Sequence, residues 1–489
     1  MTNKEITYID EPTNIEYHDE IWHSEYLKLS IKFNILRAIG IGVKETNQIY
    51  EDFLKDPENY KPDFRTRGFS LEELNEFKDE YEKLKKRIQE EEKNPAVRLA
   101  YVWVINQKIN EIKFTIASTE GNMESVRIYG KALYGEISKE EFIYTLAKIQ
   151  NQIDQAKASD NPELKAKAEE LENKLKNDLQ EKNTIKNPSK ETFEKTKTLI
   201  SEQYHQYLKD IDEESEYTKE ELKTIFEGIL IKLDFNNWTV EITDKTQNIK
   251  VIPAHKKIQI PDNKERTFKG FQVKKLILHE ILSHAKRSEN GNKSSLKLLE
   301  LGLHEYANIE EGIAILHEQS QNENFTQYAS NDNHLLIGLS KGLLGINFNF
   351  QELYEIMKTY YEFQALKKGT NVEKAGKESF DRLLRIFRGT DCKDTSINFP
   401  KDKAYREGNI KIWEMISEKP ELFRIFTIGK YDPTNPTHWW ILVSLNIIEK
   451  ELAEKYLNEI EYEYTKNLPK TIQILLENYK REIFDTIQS

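Results

Sequence analysis

Two histidines bracket a glutamate in the segment His279-Glu280-Ile281-Leu282-Ser283-His284. In the common metallopeptidase pattern, His-Glu-x-x-His, the histidines lie four residues apart on one helix face and the Glu serves as base. Here one more residue intervenes. Five residues at about 100° each leave the two imidazoles about 140° apart on a regular α-helix, too far round to share an ion. An i→i+5 turn returns them to one face, and such π-bulges concentrate at functional sites. If the pair holds a metal, the spacing predicts a π-turn or an abrupt helix end before His284. Without that irregularity, the two histidines are ordinary surface or core residues of a helix.

A third donor lies downstream. Glu310-Glu311-Gly312-Ile313-Ala314 opens another helix, with Ile309, Ile313 and Leu316 on its apolar side. A carboxylate from a second helix completes a set of two His and one Glu with an open fourth position, the ligand set of catalytic zinc. The expected cofactor is one Zn²⁺ per chain. Acidic residues at a helix start also have a simpler use, since they complement the macrodipole. His304 and His317 are rival ligands near the same helix, each equally suited to a helix surface.

These residues need elements to position them. Period-2 alternation marks three short strands at 238–242, 249–251 and 257–260, leading into a helix from about Phe271. Two helices, about 190–208 and 219–233, precede them after a boundary at Asn187-Pro188. Further upstream, Asp56-Pro57 and Lys61-Pro62 are breaks, and Ser70 with Glu73 forms a capping box for a helix through Leu74, Phe77, Tyr81 and Leu84. Helical spacing runs from Pro95 to about Asn151, broken at Glu120-Gly121-Asn122 and Tyr134-Gly135. The charged stretch 162–186 carries a narrow seam of Leu164, Ala168, Leu171, Leu175 and Leu179, read as a solvated helix in a hairpin or short coiled coil. Beyond Phe271 the pattern is helical except at 389–409, which reads as a long functional loop. Three parts follow: an accessory helical region at 1–95, a helical region with the charged helix or hairpin at 96–187, and a catalytic domain at 188–489. The fold class is α+β, predominantly α-helical. A small sheet ahead of a histidine helix is the order of zincin-like, gluzincin-type cores.

Composition narrows the functional classes. A net charge of −12 argues against general nucleic-acid affinity. The start, MTNKEITYIDEPTN, has no apolar run of a signal peptide, and no uncharged stretch reaches the roughly 20 residues of a membrane span. One cysteine, Cys392, excludes an internal disulfide framework. A cytoplasmic protein without membrane insertion is expected. We find neither a phosphate-cradling loop nor a dinucleotide fingerprint.

The run from His279 through Ala285-Lys286-Arg287 and Asn290-Gly291, followed by Glu310-Glu311-Gly312-Ile313-Ala314, resembles one family. It is that of the microtubule-associated tyrosine carboxypeptidases and their bacterial relatives, the QEGLA-motif proteins. Arg388-Gly389 and Lys401-Asp402-x-x-Tyr405-x-x-Gly408 match further family elements. Glu310 stands where relatives often have Gln, and Ile313 where they have Leu. The resemblance implies that His279, His284 and Glu311 bind zinc, with Glu280 as general base acting on water. Tyr405 is the candidate donor to the tetrahedral oxyanion. A carboxypeptidase also needs a cation for the terminal carboxylate of its peptide or protein substrate, and Arg388, Lys401 and Arg287 are the candidates. Two other readings stay open, a regulatory or binding module with a non-catalytic metal and a metal hydrolase of a non-peptide amide or ester. Structural zinc sites close with four ligands, often thiolates, and Cys392 is the sole thiol here.

Overall fold

The computed structural model describes residues 18–449 and 452, apart from 67, 176–180, 245, 247 and 263–265. Helices dominate, and local signals set many of their ends. Ser70 Oγ accepts from the Glu73 amide at 3.2 Å and Glu73 accepts from the Ser70 amide at 2.7 Å, closing the capping box that opens Leu71–Glu91. Asn94 Oδ1 accepts from the Ala96 amide at 3.0 Å and caps Pro95–Glu120. Gly121 ends that helix at φ 75°, the left-handed cap that glycine adopts without strain. The expected breaks stand between Pro95–Glu120, Met123–Tyr134 and Lys139–Lys157, and Lys190–Leu208 starts just past Pro188. No described helix is long and apolar enough to cross a membrane.

Among the described residues, two small sheets interrupt the helices. Strand β1 (Glu216–Tyr217) pairs antiparallel with β5 (Phe268–Lys269). Between them in sequence, β2 (Thr239–Thr243), β3 (Lys250–Ile252) and β4 (Lys257–Pro261) form a mixed sheet of order β2-β4-β3. β4 runs parallel to β2 and antiparallel to β3, with Ile258 opposite both Val240 and Val251. Ile258 and Ile260 are fully buried, which fixes the register, since a one-residue slip would expose both. The three strands of this sheet lie where the alternation places them. The two-residue strands β1 and β5 carry no such pattern.

The core divides differently from the sequence-based partition. One hydrophobic cluster joins Tyr26, Tyr101 and Ile281, and a second joins Phe53, Leu171 and Phe387. Each thus draws on all three expected parts, so the boundaries at 95 and 187 do not separate cores. Asp19, 1% exposed, accepts from the amides of Lys297 and Leu298 at 2.9 Å each and from the Tyr101 hydroxyl at 2.7 Å. That buried carboxylate ties the N-terminal helices to the chain beyond the histidine helix.

The charged helix, Pro162–Leu175, packs Ala168, Leu171 and Leu175 against Lys139–Lys157, the helix just before it, as the hairpin reading expects. The same seam also meets Phe350–Lys368, so it is part of the core and only its opposite face is solvated. Leu179 lies outside the described residues. The long loop expected at 389–409 ends at Phe399, where Pro400 opens a 3₁₀ turn that leads into the helix Ala404–Glu418.

Candidate active site

Strand β5 runs directly into the histidine helix. This element is α-helical over Gly270–Leu276, π-helical over Ile277–Ala285 and α-helical again over Lys286–Lys293. The i→i+5 turn that the spacing requires is therefore present. Its apolar face, Ile277, Leu278, Ile281 and Leu282, is fully buried. The wider turn brings the His279 and His284 rings to one side, with centroids 4.8 Å apart.

Glu311 comes from the helix Ala307–Gln319, which packs against this turn. Its Oε2 lies 3.8 Å from His279 Nε2 and 4.0 Å from His284 Nε2. Ligand atoms around tetrahedral zinc stand about 3.4 Å apart, given bond lengths of about 2.0–2.1 Å, so the Glu311 oxygen stands slightly outside that spacing from each imidazole. The other ring nitrogens are held from outside. His284 Nδ1 is 2.8 Å from Glu310 Oε1, and His279 Nδ1 faces the Glu318 carboxylate. A carboxylate on Nδ1 fixes the tautomer that leaves the Nε2 lone pair for a metal. Burial would depress the His279 imidazole, but Glu318, Glu280 and Glu311 raise its affinity for a proton, to a pKa of about 10. The field that favours a proton on this ring favours any cation there. The donor set fits zinc.

Glu310 is itself anchored. Burial disfavours its charge, but the Arg287 guanidinium and Lys430, whose Nζ is 3.5 Å away, hold it well below the usual carboxylate range. Arg287 is thus a correction to its expected substrate-binding role. It is fully buried, its guanidinium engaged by Glu310 and by the carbonyls of Gly429 at 2.9 Å and Tyr431 at 2.7 Å. Glu280 is 8% exposed, and one of its oxygens lies within 4.8 Å of a nitrogen of each histidine. Burial raises its pKa against the opposing pull of the two imidazoles. The rival ligands fall elsewhere: His304 lies against Trp103, with ring centroids 5.6 Å apart, and His317 meets Ser283 behind the π-turn.

Two motif glycines explain how Tyr405 reaches this centre. A Cβ on Gly312 would lie 2.3 Å from the Gly408 backbone, and one on Gly408 only 1.8 Å from the Asn308 carbonyl oxygen. Ala307–Gln319 and Ala404–Glu418 therefore meet backbone to backbone. Tyr405, on the first turn of the second helix, accepts a hydrogen bond from Arg385 Nη2 at 3.3 Å. Glu311 nearby, then burial, keeps the phenol protonated. Arg385 also donates to Asp402, at 3.0 Å from Nη2, and Arg388 Nη2 stands 3.6 Å from the same carboxylate.

A cavity of about 810 Å³ gathers these groups. Glu280, Glu311, Tyr405, Arg388 and Lys401 line it, together with Tyr26 and Ile35 from the N-terminal helices and Lys250 and Val251 from β3. Sequence reasoning missed Glu318, Arg385 and this N-terminal wall. The i,i+3 spacing of Arg385 and Arg388, and that of Glu311 and Glu318 two turns apart, were the available signals.

The site has the donors, buried carboxylate and lined cavity of a hydrolase. The model of the microtubule-associated tyrosine carboxypeptidase family matches residues 182–451, more than half of the chain, and the protein belongs to that family. No curated protein and no solved structure matches it.

Proposed function

We propose that this protein is a zinc-dependent carboxypeptidase that removes a residue from the free C-terminus of a peptide or protein. The observation that carries this reading is the convergence of His279, His284 and Glu311 in a cavity that also holds Arg388, Lys401 and Tyr405. We read the small mixed sheet, the histidine helix and the Glu311 helix as a zincin-like core. Zinc held by His279, His284 and Glu311 would polarise the scissile carbonyl and lower the pKa of water towards about 7.

The chain's own groups would do the rest. Glu280, with its pKa raised by burial, would take the proton from water and return it to the leaving amine. A carboxyl shifted towards neutrality suits both directions of that transfer. The Tyr405 hydroxyl accepts from Arg385, so its own hydrogen remains available to a developing oxyanion. Arg388 and Lys401 would pair with the substrate's terminal carboxylate. Asp402 fixes the Arg388 guanidinium from behind and lies between it and Arg385.

Purified protein should contain one zinc per chain by elemental analysis, and His284→Ala should lose it. Wild type should cleave peptides ending in a free acid, tyrosine among them, and spare their C-terminal amides. Arg388→Ala or Lys401→Ala should cut efficiency on the acid by roughly 30-fold or more, since a desolvated charge pair contributes about 2–5 kcal/mol. Equal cleavage of acid and amide would make the protein an endopeptidase. Metal-free, fully active wild type would remove the zinc reading altogether.

A further inference from the structure

Behind the π-turn, on the side away from the cavity, a second polar contact joins the two ligand-bearing helices. Ser283 Oγ donates to the Leu278 carbonyl at 2.8 Å and lies 2.7 Å from His317 Nδ1. Both side chains are fully buried. Since the Ser283 hydrogen goes to Leu278, the bond to His317 needs its proton on Nδ1. The Leu278 carbonyl also faces His317, which favours the same tautomer. His317 Nε2 meets no hydrogen-bond partner among the described residues and is enclosed by the Tyr204 and Phe423 rings, at 5.4 and 5.7 Å between centroids. It is a lone pair enclosed by rings, which burial, with the Lys286 cation nearby, keeps unprotonated. An imidazole oriented in this way has one polar task, donation from Nδ1.

That task falls at a sensitive place. Leu278 and Ser283 are five residues apart and adjoin His279 and His284 in sequence. A π-turn is the less favoured form of a helix, and relaxation to α geometry would rotate His284 about 140° from His279. His317 stands on the same helix as Glu310, Glu311 and Glu318.

We propose that His317 is a positioning residue, which clamps Ser283 and the Leu278 carbonyl and so holds the π-turn in the register that lets His279 and His284 share one ion. The proposal rests on the zinc reading above. His317 touches neither substrate nor metal, and it acts through the backbone between the two ligands.

The test compares four variants for zinc affinity, by competition with a chromophoric chelator, and for the visible spectrum of the cobalt-substituted protein. His317→Phe keeps the ring volume without the donor, and Ser283→Ala removes the hydroxyl. Both should weaken zinc by about 10–100-fold, the usual effect of losing an outer-shell partner, and alter the cobalt bands. His317→Asn, whose amide can donate from nearly the position of Nδ1, should stay within a few-fold of wild type. His284→Ala is the control. If it loses zinc while His317→Phe binds zinc and cobalt as wild type does, the clamp is wrong and the zinc site stands. If His284→Ala retains zinc, both fall. Equal losses in His317→Phe and His317→Asn would reduce the residue to packing and overturn the proposal. Should His317→Phe not fold, Ser283→Ala decides alone, since removing one buried oxygen leaves the helix packing intact.

Discussion

The two histidine candidates are each backed by a carboxylate that is not itself a candidate ligand. His284 is held by Glu310, Glu310 by Arg287, and His279 by Glu318. The spacing of the two histidines is visible in the sequence because the chain must bend to satisfy it. The identity of Glu318 is not, because a carboxylate seven residues after Glu311 looks like any solvated helix residue until the partner helix is in place. Arg287 misleads for a related reason. An arginine near a metal motif suggests substrate recognition, whereas burial assigns it to Glu310. Among the described residues Glu280 is buried beside the two imidazoles, and burial raises its pKa, which is the basis for proposing it as the base. Glu280→Gln should keep zinc and lose about 10²–10⁴ of the activity. Zinc content and peptide turnover measured on one preparation check this, and activity within a few-fold of wild type would move the base elsewhere.

At the scale of elements, the decisive contact is the backbone approach of Ala307–Gln319 to Ala404–Glu418 through Gly312 and Gly408. A Cβ at 408 would overlap the Asn308 carbonyl, and neither helix can yield without moving Tyr405 or Glu311. Gly408→Ala should therefore cost about 1–3 kcal/mol of stability, as overpacking does, and lower turnover by more than the loss of folded protein explains. Urea unfolding together with turnover reads both effects. A variant as stable and active as wild type would mean that the helices have room to part. The sequence marks these glycines as motif residues. It does not reveal that they face each other, since 96 positions separate them in a chain whose pairings are set by tertiary packing. The strands of the mixed sheet were legible because half-burial writes a period of two. The seam of the charged helix made its hairpin legible, whereas its second cover was not, because Lys167 and Glu170 resemble a solvated surface although Lys167 lies 2.7 Å from Glu362 of that covering helix.

Across the whole molecule, both cores combine early, middle and late segments, an arrangement that composition and periodicity cannot specify. One joint between them is titratable. Glu141 Oε2 lies 3.0 Å from His334 Nε2, and burial raises the Glu141 pKa from 4.5 to about 7 against Arg406, Lys403 and Lys411. The folded state thus binds this proton more tightly than the unfolded chain. Its contribution is greatest below pH 4.5 and is lost as pH rises to about 7. Relative to Glu141→Gln, which cannot ionise, wild type should lose about 2–3 kcal/mol between pH 5 and 8. Urea midpoints of both proteins at the two pH values check the sign, and an unchanged difference would mean that Glu141 titrates normally.

The buried carboxylate of Asp19 bears on how the molecule is made. Its amide partners at Lys297 and Leu298 lie almost 280 positions later in the chain, and Arg287 waits for carbonyls at Gly429 and Tyr431. At about 5–20 residues per second of synthesis, the cavity wall emerges roughly tens of seconds before the histidine helix, and the groups that lock that helix come later still. A nascent chain therefore carries the candidate ligand residues before the groups that assemble the cleft. The cleft cannot be locked around them until synthesis has passed Tyr431.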